Sequence, residues 1–394
     1  MTTNLFSFVT PKDLILEIPH NAYNQAWEKS QVHSNPTSRY QAYLNELCLS
    51  AVLPWLQEDV APQAKVWFNT TALPSFWELV NGTVICVDAT RIILVPQESI
   101  DLGELRVPQE WVDIPSWLGD YYLGVEIEAE DGYVRVWSYC THAQLKHQGI
   151  YDANTRTYAL DASDVIDDIC IFLTACQICT NEVTRSQVAA LPALNITQAE
   201  NLIIRLGDRE MLAPRLEVPF ATWGALIEHG GWRKKLYQQR VGQSEQFSVF
   251  QWLQTGISQA ARELGWDAIN LQLGAAARSV EETAAQNILS RQLTIAGQNY
   301  ELRVIPQIEA EAEGDEESTI WRFELRNTAV GGVIPGGFKL RLLTEDLQAF
   351  PDNEMTADTA TEVIAIEVAL EAGEGIVWEI EPLPENCDRE ILRF

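Results

Sequence analysis

One stretch, Val218 to Arg240, does more than any other to restrict how this chain folds. Phe220, Trp223, Leu226 and Ile227 recur at helical spacing and predict a helix with one buried face. Gly230-Gly231 predicts an interruption, after which Trp232, Leu236 and Tyr237 resume the pattern. The stretch reads as helix, break, helix. It also holds the one dense basic cluster, Arg233, Lys234, Lys235 and Arg240, of a chain with formal net charge −29. Together with Trp232 these residues form the candidate partner-binding site, because such a cluster attracts an anionic partner or the protein's own acidic surface. The alternative is a solvated helix face, or internal pairing with Glu228 and the acidic C-terminal region.

Composition sets the outer limits. A hydrophobic content of 46% with 21% charged residues is that of a folded globular chain, and 394 residues exceed what one core holds comfortably. The thirteen tryptophans predict several cores or interfaces, each anchored by a large ring. The acidic excess argues against a nucleic-acid partner, since duplex affinity is built from cationic contacts. The opening residues lack a basic region followed by an apolar one, and no apolar run approaches a membrane span, so a cytoplasmic protein is expected. Seven cysteines, an odd number in a long chain, fit reduced thiols better than a disulfide framework.

Along the chain the patterns change twice, which predicts an α+β, multidomain protein. In residues 1–180, a strand at Leu14–Ile18 precedes helices at His20–Val32 and Ser38–Val60. Short strands follow, then a hairpin whose two runs, Tyr121–Ile127 and Tyr133–Tyr139, flank a turn containing Asp131-Gly132. Asp164 to Cys176 reads as a helix with Ser163 as its cap. Residues 181–280 read as a Trp-rich helical module that ends in an alanine-rich linking segment, Gly274–Gln286. In residues 281–394, seven strand patterns separated by turn-rich spacers predict an acidic β-sandwich of immunoglobulin-like type. The run Glu309–Glu317 within it is expected to be a solvated hairpin loop.

Candidate chemistry is sparse. Cys176 and Cys179 make one Cys-x-x-Cys pair, with Cys170, Cys140 and His142 as the residues that could complete a tetrahedral zinc site. The apolar surroundings of Cys170 and Cys176 favour buried structural thiols instead, so no metal and no other cofactor is expected. Asp164, Asp167 and Asp168 stand at spacings that share a helix face, where they would serve the helix dipole rather than magnesium. No nucleophile elbow or phosphate loop accompanies them, and Gly331–Gly337 reads as a turn.

The run Pro219 to Arg240, followed by Phe250-Gln251-Trp252-Leu253-Gln254, resembles the shared core of a cyanobacterial family catalogued as domain of unknown function eighteen twenty-two. Ile18-Pro19, Arg39 to Asn45 and Val107 to Trp111 are similar to other parts of that family, and the likeness extends over nearly the whole chain. It implies no catalytic residues. It does imply a regulatory setting, with a sigma factor or a signalling protein as the kind of partner. The functional expectation is therefore a non-enzymatic cytoplasmic regulatory or adaptor protein in transcription or signalling. The alternative is an enzyme or small-ligand binder with a site between the N-terminal domain and the helical module, where Cys140, His142 and the Asp164 group could converge.

Overall fold

A computed structural model of the chain describes residues 13–68, 70–98, 103–178, 182–243, 248–271, 286–307, 319–385 and 387–394. Cys179, nearly all of the expected linking segment from Gly274, and the acidic run Glu309–Glu317 lie outside the described residues. The chain divides into two compact units, Met1–Gln243 and Ser244–Phe394. The helices expected within residues 181–280 fall on both sides of that division.

In order, the first unit contains β1 (Leu14–Glu17), α1 (His20–Ser30), α2 (Pro36–Asp59), β2 (Lys65–Val66), α3 (Leu73–Trp77), β3 (Thr83–Val87), β4 (Thr90–Gln97), β5 (Glu104–Pro108) and α4 (Gln109–Asp113). It continues with β6 (Tyr121–Glu128), β7 (Tyr133–Thr141), α5 (His142–Gln148), β8 (Ile150–Asp152), β9 (Thr157–Asp161), α6 (Ile169–Ile178), α7 (Ile196–Leu206), α8 (Phe220–Glu228) and α9 (Gly230–Val241). Six strands form one sheet in the order β1-β7-β6-β4-β3-β2, and three form another, β5-β9-β8. Among the described residues of these two sheets only the β4–β6 pairing is parallel, and the expected hairpin is β6–β7 with a bulge at Gly124/Val125.

Local chemistry explains the main elements. Asn35 starts α2 by accepting from the Ser38 amide at 3.0 Å, with Pro36 at the first helical turn, where its missing N–H costs nothing. The helix then buries Leu47, Cys48, Val52 and Leu56 as it packs against β4, β6 and β7. Truncating one of these, as in Leu47→Ala, costs about 2–5 kcal/mol. The helix expected from Asp164 begins at Ile169 instead. Asp168 accepts from the Cys170 amide at 3.0 Å, while Ser163 turns back to Asp161, so Asp164, Asp167 and Asp168 share no helical face. Glu182 to Leu194 has no regular structure; helix resumes at α7, whose Asn195–Gln198 capping box fixes its start.

The break between α8 and α9 is made by His229, which is extended and accepts from the Trp232 amide at 3.3 Å, stacking on that ring at 4.3 Å. Gly230 and Gly231 are the first residues of α9 rather than the interruption. Gly207 lets α7 meet α9 closely, because a Cβ there would lie 2.2 Å from Gln239.

The second unit opens with α10 (Val249–Thr255) and α11 (Gln259–Glu263), followed by β10 (Trp266–Leu271), β11 (Gln286–Ile295), β12 (Gln298–Gln307), β13 (Thr319–Asn327), β14 (Lys339–Thr344), β15 (Glu354–Thr356), β16 (Val363–Leu370), β17 (Gly375–Glu381) and β18 (Ile391–Arg393). Two antiparallel sheets, β10-β11-β12-β13-β16 and β15-β14-β17-β18, bury one core between their inner residues. The seven expected strands are all present. Trp252 of α10 and Trp266 of β10 belong to the same core, which is why this unit begins well before residue 281. On the first sheet's other side, Arg303 pairs with Glu301 at 2.6 Å, and Arg322 with Glu324 at 2.6 Å and Glu367 at 2.7 Å. These pairs keep the outer face of the strands charged.

Candidate functional site: a basic helix and an aromatic face

The cations of α9 point inward. Arg240 is fully buried, and all five of its N–H donors are engaged. Nε donates to Glu78 at 2.7 Å, Nη1 to the Leu206 and Asp208 carbonyls at 3.0 Å each, and Nη2 to the Met211 carbonyl at 2.9 Å and Ser34 Oγ at 3.2 Å. It thereby holds the turn after α7 and the start of α2 to the residue that follows α3. Glu78 is equally saturated. It accepts from Arg240, from the Ser34 amide at 3.0 Å and hydroxyl, and from His33 Nδ1 at 3.2 Å, which must carry the proton because an ionised carboxylate only accepts. Burial works against its charge, but the hydrogen bonds from His33, Ser34 and Arg240 outweigh burial and hold its pKa down to about 2.

Arg233 is also buried, its guanidinium 3.9 Å above the Phe76 ring centroid and 5.4 Å from that of Trp117. It donates to the Ile227 carbonyl at 2.8 Å and to Ser75. Trp232 is 3% exposed. Of the five residues expected to meet a partner, Trp232, Arg233 and Arg240 are thus interior, and only Lys234 and Lys235 are half-buried, with Lys235 3.3 Å from Glu200. The acid paired with Arg240 is Glu78, while the Glu228 carboxylate accepts from Ser116.

The other candidates are similarly committed. His142 is buried and uses both ring nitrogens, Nδ1 accepting from the Ser186 amide at 3.0 Å and Nε2–H donating to the Val112 carbonyl at 2.9 Å. Burial keeps it neutral. Cys140 is buried, but Cys170 is exposed and Cys176 only half-buried, where buried thiols were expected for both; burial, then the charge of Asp120, still pushes the Cys176 thiol up to about 12. Among the described residues no three metal-ligating side chains come together. An apolar recess lined by Trp67, Phe76, Val84 and Trp111, among others, has room for no more than about one water molecule.

One polar cluster was not anticipated. Lys146 donates to Asp113 at 2.5 Å and to the Tyr158 hydroxyl at 2.6 Å, and that hydroxyl donates to Asp113 at 2.9 Å. Burial lowers the Lys146 pKa but is outweighed by its bonds to Asp113 and Tyr158, and burial raises that of Tyr158. Both therefore keep their protons, which suits a structural tie and not a nucleophile or base.

Apart from Tyr151 of β8, the exposed aromatic side chains among the described residues stand on α1 and α2. Trp27 is 63% exposed and meets Tyr43 edge-on at 6.4 Å. Tyr40 is exposed and Tyr23 half-buried on the same two helices. The side that α1 buries is made of the small residues Ala22, Ala26 and Ser30, so its large ring faces out. Among the described residues no helix is long and apolar enough to cross a membrane.

No match is found among the curated proteins or the solved structures. The model of a family described as Protein of unknown function (DUF1822) matches residues 16–393 and so takes in both units. The chain belongs to the DUF1822 family.

Proposed function

We propose that this is a non-enzymatic regulatory or adaptor protein that binds a partner protein through the aromatic face of α1 and α2. The observation that carries the proposal is the exposure of Trp27 beside Tyr43. Tryptophan and tyrosine are the side chains most enriched at the centres of protein interfaces, and a cluster of them left in water is costly unless something covers it. In support, the cations of α9 and the Lys146–Asp113–Tyr158 cluster hold the first unit together, with Arg233 stacked on Phe76 of α3. An immunoglobulin-like character for the second unit, a cytoplasmic location, and a setting in transcription or signalling belong to the same proposal.

Affinity capture from the native cell tests it, with wild type, Trp27→Ala and the double variant Lys234→Glu/Lys235→Glu as baits. Wild type and the double variant should recover the same partner and Trp27→Ala should lose it. Recovery by Trp27→Ala at the wild-type level would refute the assignment.

A further inference from the structure

The aromatic face of α1 and α2 adjoins a concentration of carboxylates. The Tyr23 hydroxyl sits over the β6–β7 turn, since a Cβ built on Gly132 would lie 3.7 Å from it. Glu130 and Asp131 in that turn are exposed. Next to them, burial and the charges of Asp131, Glu98 and Glu130 push the Glu128 carboxyl up. Glu98 accepts the Tyr40 hydroxyl, and Glu17, opposite Tyr133 in the β1–β7 pairing, lies close enough to Tyr23 to add to the effect of burial on that phenol. Two nearby cations already have acids of their own. Arg135 is 2.6 Å from Asp13 and 3.2 Å from Glu126, and Lys29 pairs with Glu46.

Two effects then select the same partner. Aromatic ring faces are electron-rich and hold cations against them. Carboxylates crowded on one surface repel each other, and a cation placed among them relieves that repulsion. Arginine satisfies both at once, because its planar guanidinium stacks on a ring while its edge donates to a carboxylate in a two-pronged bond. A phosphate-bearing partner is repelled by the same acids.

We infer that the face receives an arginine-bearing basic segment of the partner protein, with guanidinium groups held between the exposed rings and the carboxylates of Glu17, Glu128 and Asp131. The inference rests on the partner-binding proposal above and supplies the partner's chemistry.

The test uses the full chain and short fluorescent peptides that differ only in carrying arginine, lysine or glutamine at the same positions, read by anisotropy. The arginine peptide should bind, the lysine peptide more weakly and the glutamine peptide not at all, and added salt should weaken the binding. Trp27→Ala should lower affinity for the arginine peptide about fivefold or more, and Glu17→Gln/Asp131→Asn about tenfold. Equal binding of the arginine and glutamine peptides, or variants that bind the arginine peptide as wild type does, would overturn the inference. If no arginine peptide binds but Trp27→Ala still loses the native partner, the partner's chemistry is wrong and the binding proposal stands. If Trp27→Ala keeps the native partner, both fall.

Discussion

Helix α9 and the α1–α2 pair each combine tryptophan with charge, and they use the combination in opposite ways. Trp232 is 3% exposed and Trp27 63%. Around the first, Arg233 and Arg240 turn inward and meet a ring, a buried carboxylate and backbone carbonyls. Around the second, carboxylates remain near the surface and repel one another. In a chain of net charge −29, arginine is the side chain that can satisfy several carbonyls and a carboxylate at once. A basic cluster here marks an internal tie, while the exposed ring among acids is the feature on which the proposed partner surface rests.

The contrast is sharpened most by removing one region entirely. A fragment ending at Gln243 should unfold cooperatively, whereas one ending at Glu217 lacks α8 and α9, leaves Glu78 without Arg240 and should lose cooperative unfolding in a denaturant titration. A cooperative transition in the shorter fragment would break the claim that α9 is structural.

Next in size is Arg240→Met. It strands a buried carboxylate and leaves three carbonyls without these donors, a loss of about 3–5 kcal/mol in equilibrium denaturation. Arg240→Lys should restore little of it, since one ammonium cannot reproduce the five-donor fork.

The same tie sets an acid dependence. Glu78 has a folded pKa held down to about 2 against an ordinary 4.5. Its contribution to stability is therefore fully present above that ordinary value and is lost as pH falls toward 2, a change of up to about 3 kcal/mol for one group. Denaturation midpoints across this range should fall in wild type. His33 and Ser34 lower the Glu78 pKa more than Arg240 does, so Arg240→Met, if it folds, should keep most of this fall, and loss of the whole fall would show that Arg240 alone holds the carboxylate down.

The smallest effects belong to the surface. Lys234→Glu/Lys235→Glu and Trp27→Ala should each shift stability by about 0.5 kcal/mol or less, because the first touches partly exposed charges and the second an exposed ring. A sharp fall in melting temperature for the lysine pair would make them part of the internal tie after all.

Much of this was legible in the sequence at the level of pattern. Helical phase predicted one face through Phe220, Trp223, Leu226, Ile227, Trp232, Leu236 and Tyr237; five of these are buried, Trp232 among them although it was also a candidate for partner contact, while Phe220 and Tyr237 are half-buried. The same phase placed Arg233 and Arg240 on the stripe of Trp232 and Leu236 and left Lys234 and Lys235 off it, a signal overshadowed by their shared charge. What periodicity could not supply was the acceptor. Glu78 lies more than 160 positions away, and folding alone brings it to Arg240. The small buried stripe of α1, Ala22, Ala26 and Ser30, likewise marked Trp27 as outward, but its acidic setting comes from β1, β4's end and the β6–β7 turn, remote in the chain. The late start of α6 follows from Asp168 capping in place of Ser163, two short polar side chains between which local sequence does not choose.

The central claim is that α9 holds the first unit together and the α1–α2 face meets the partner. Titrating the recovered native partner against wild type, Trp27→Ala and Lys234→Glu/Lys235→Glu, all shown to be folded, addresses both halves at once. The account predicts wild-type affinity for the lysine variant and a loss of about tenfold or more for Trp27→Ala. Undiminished affinity for Trp27→Ala, with binding abolished by charge reversal on α9, would contradict it.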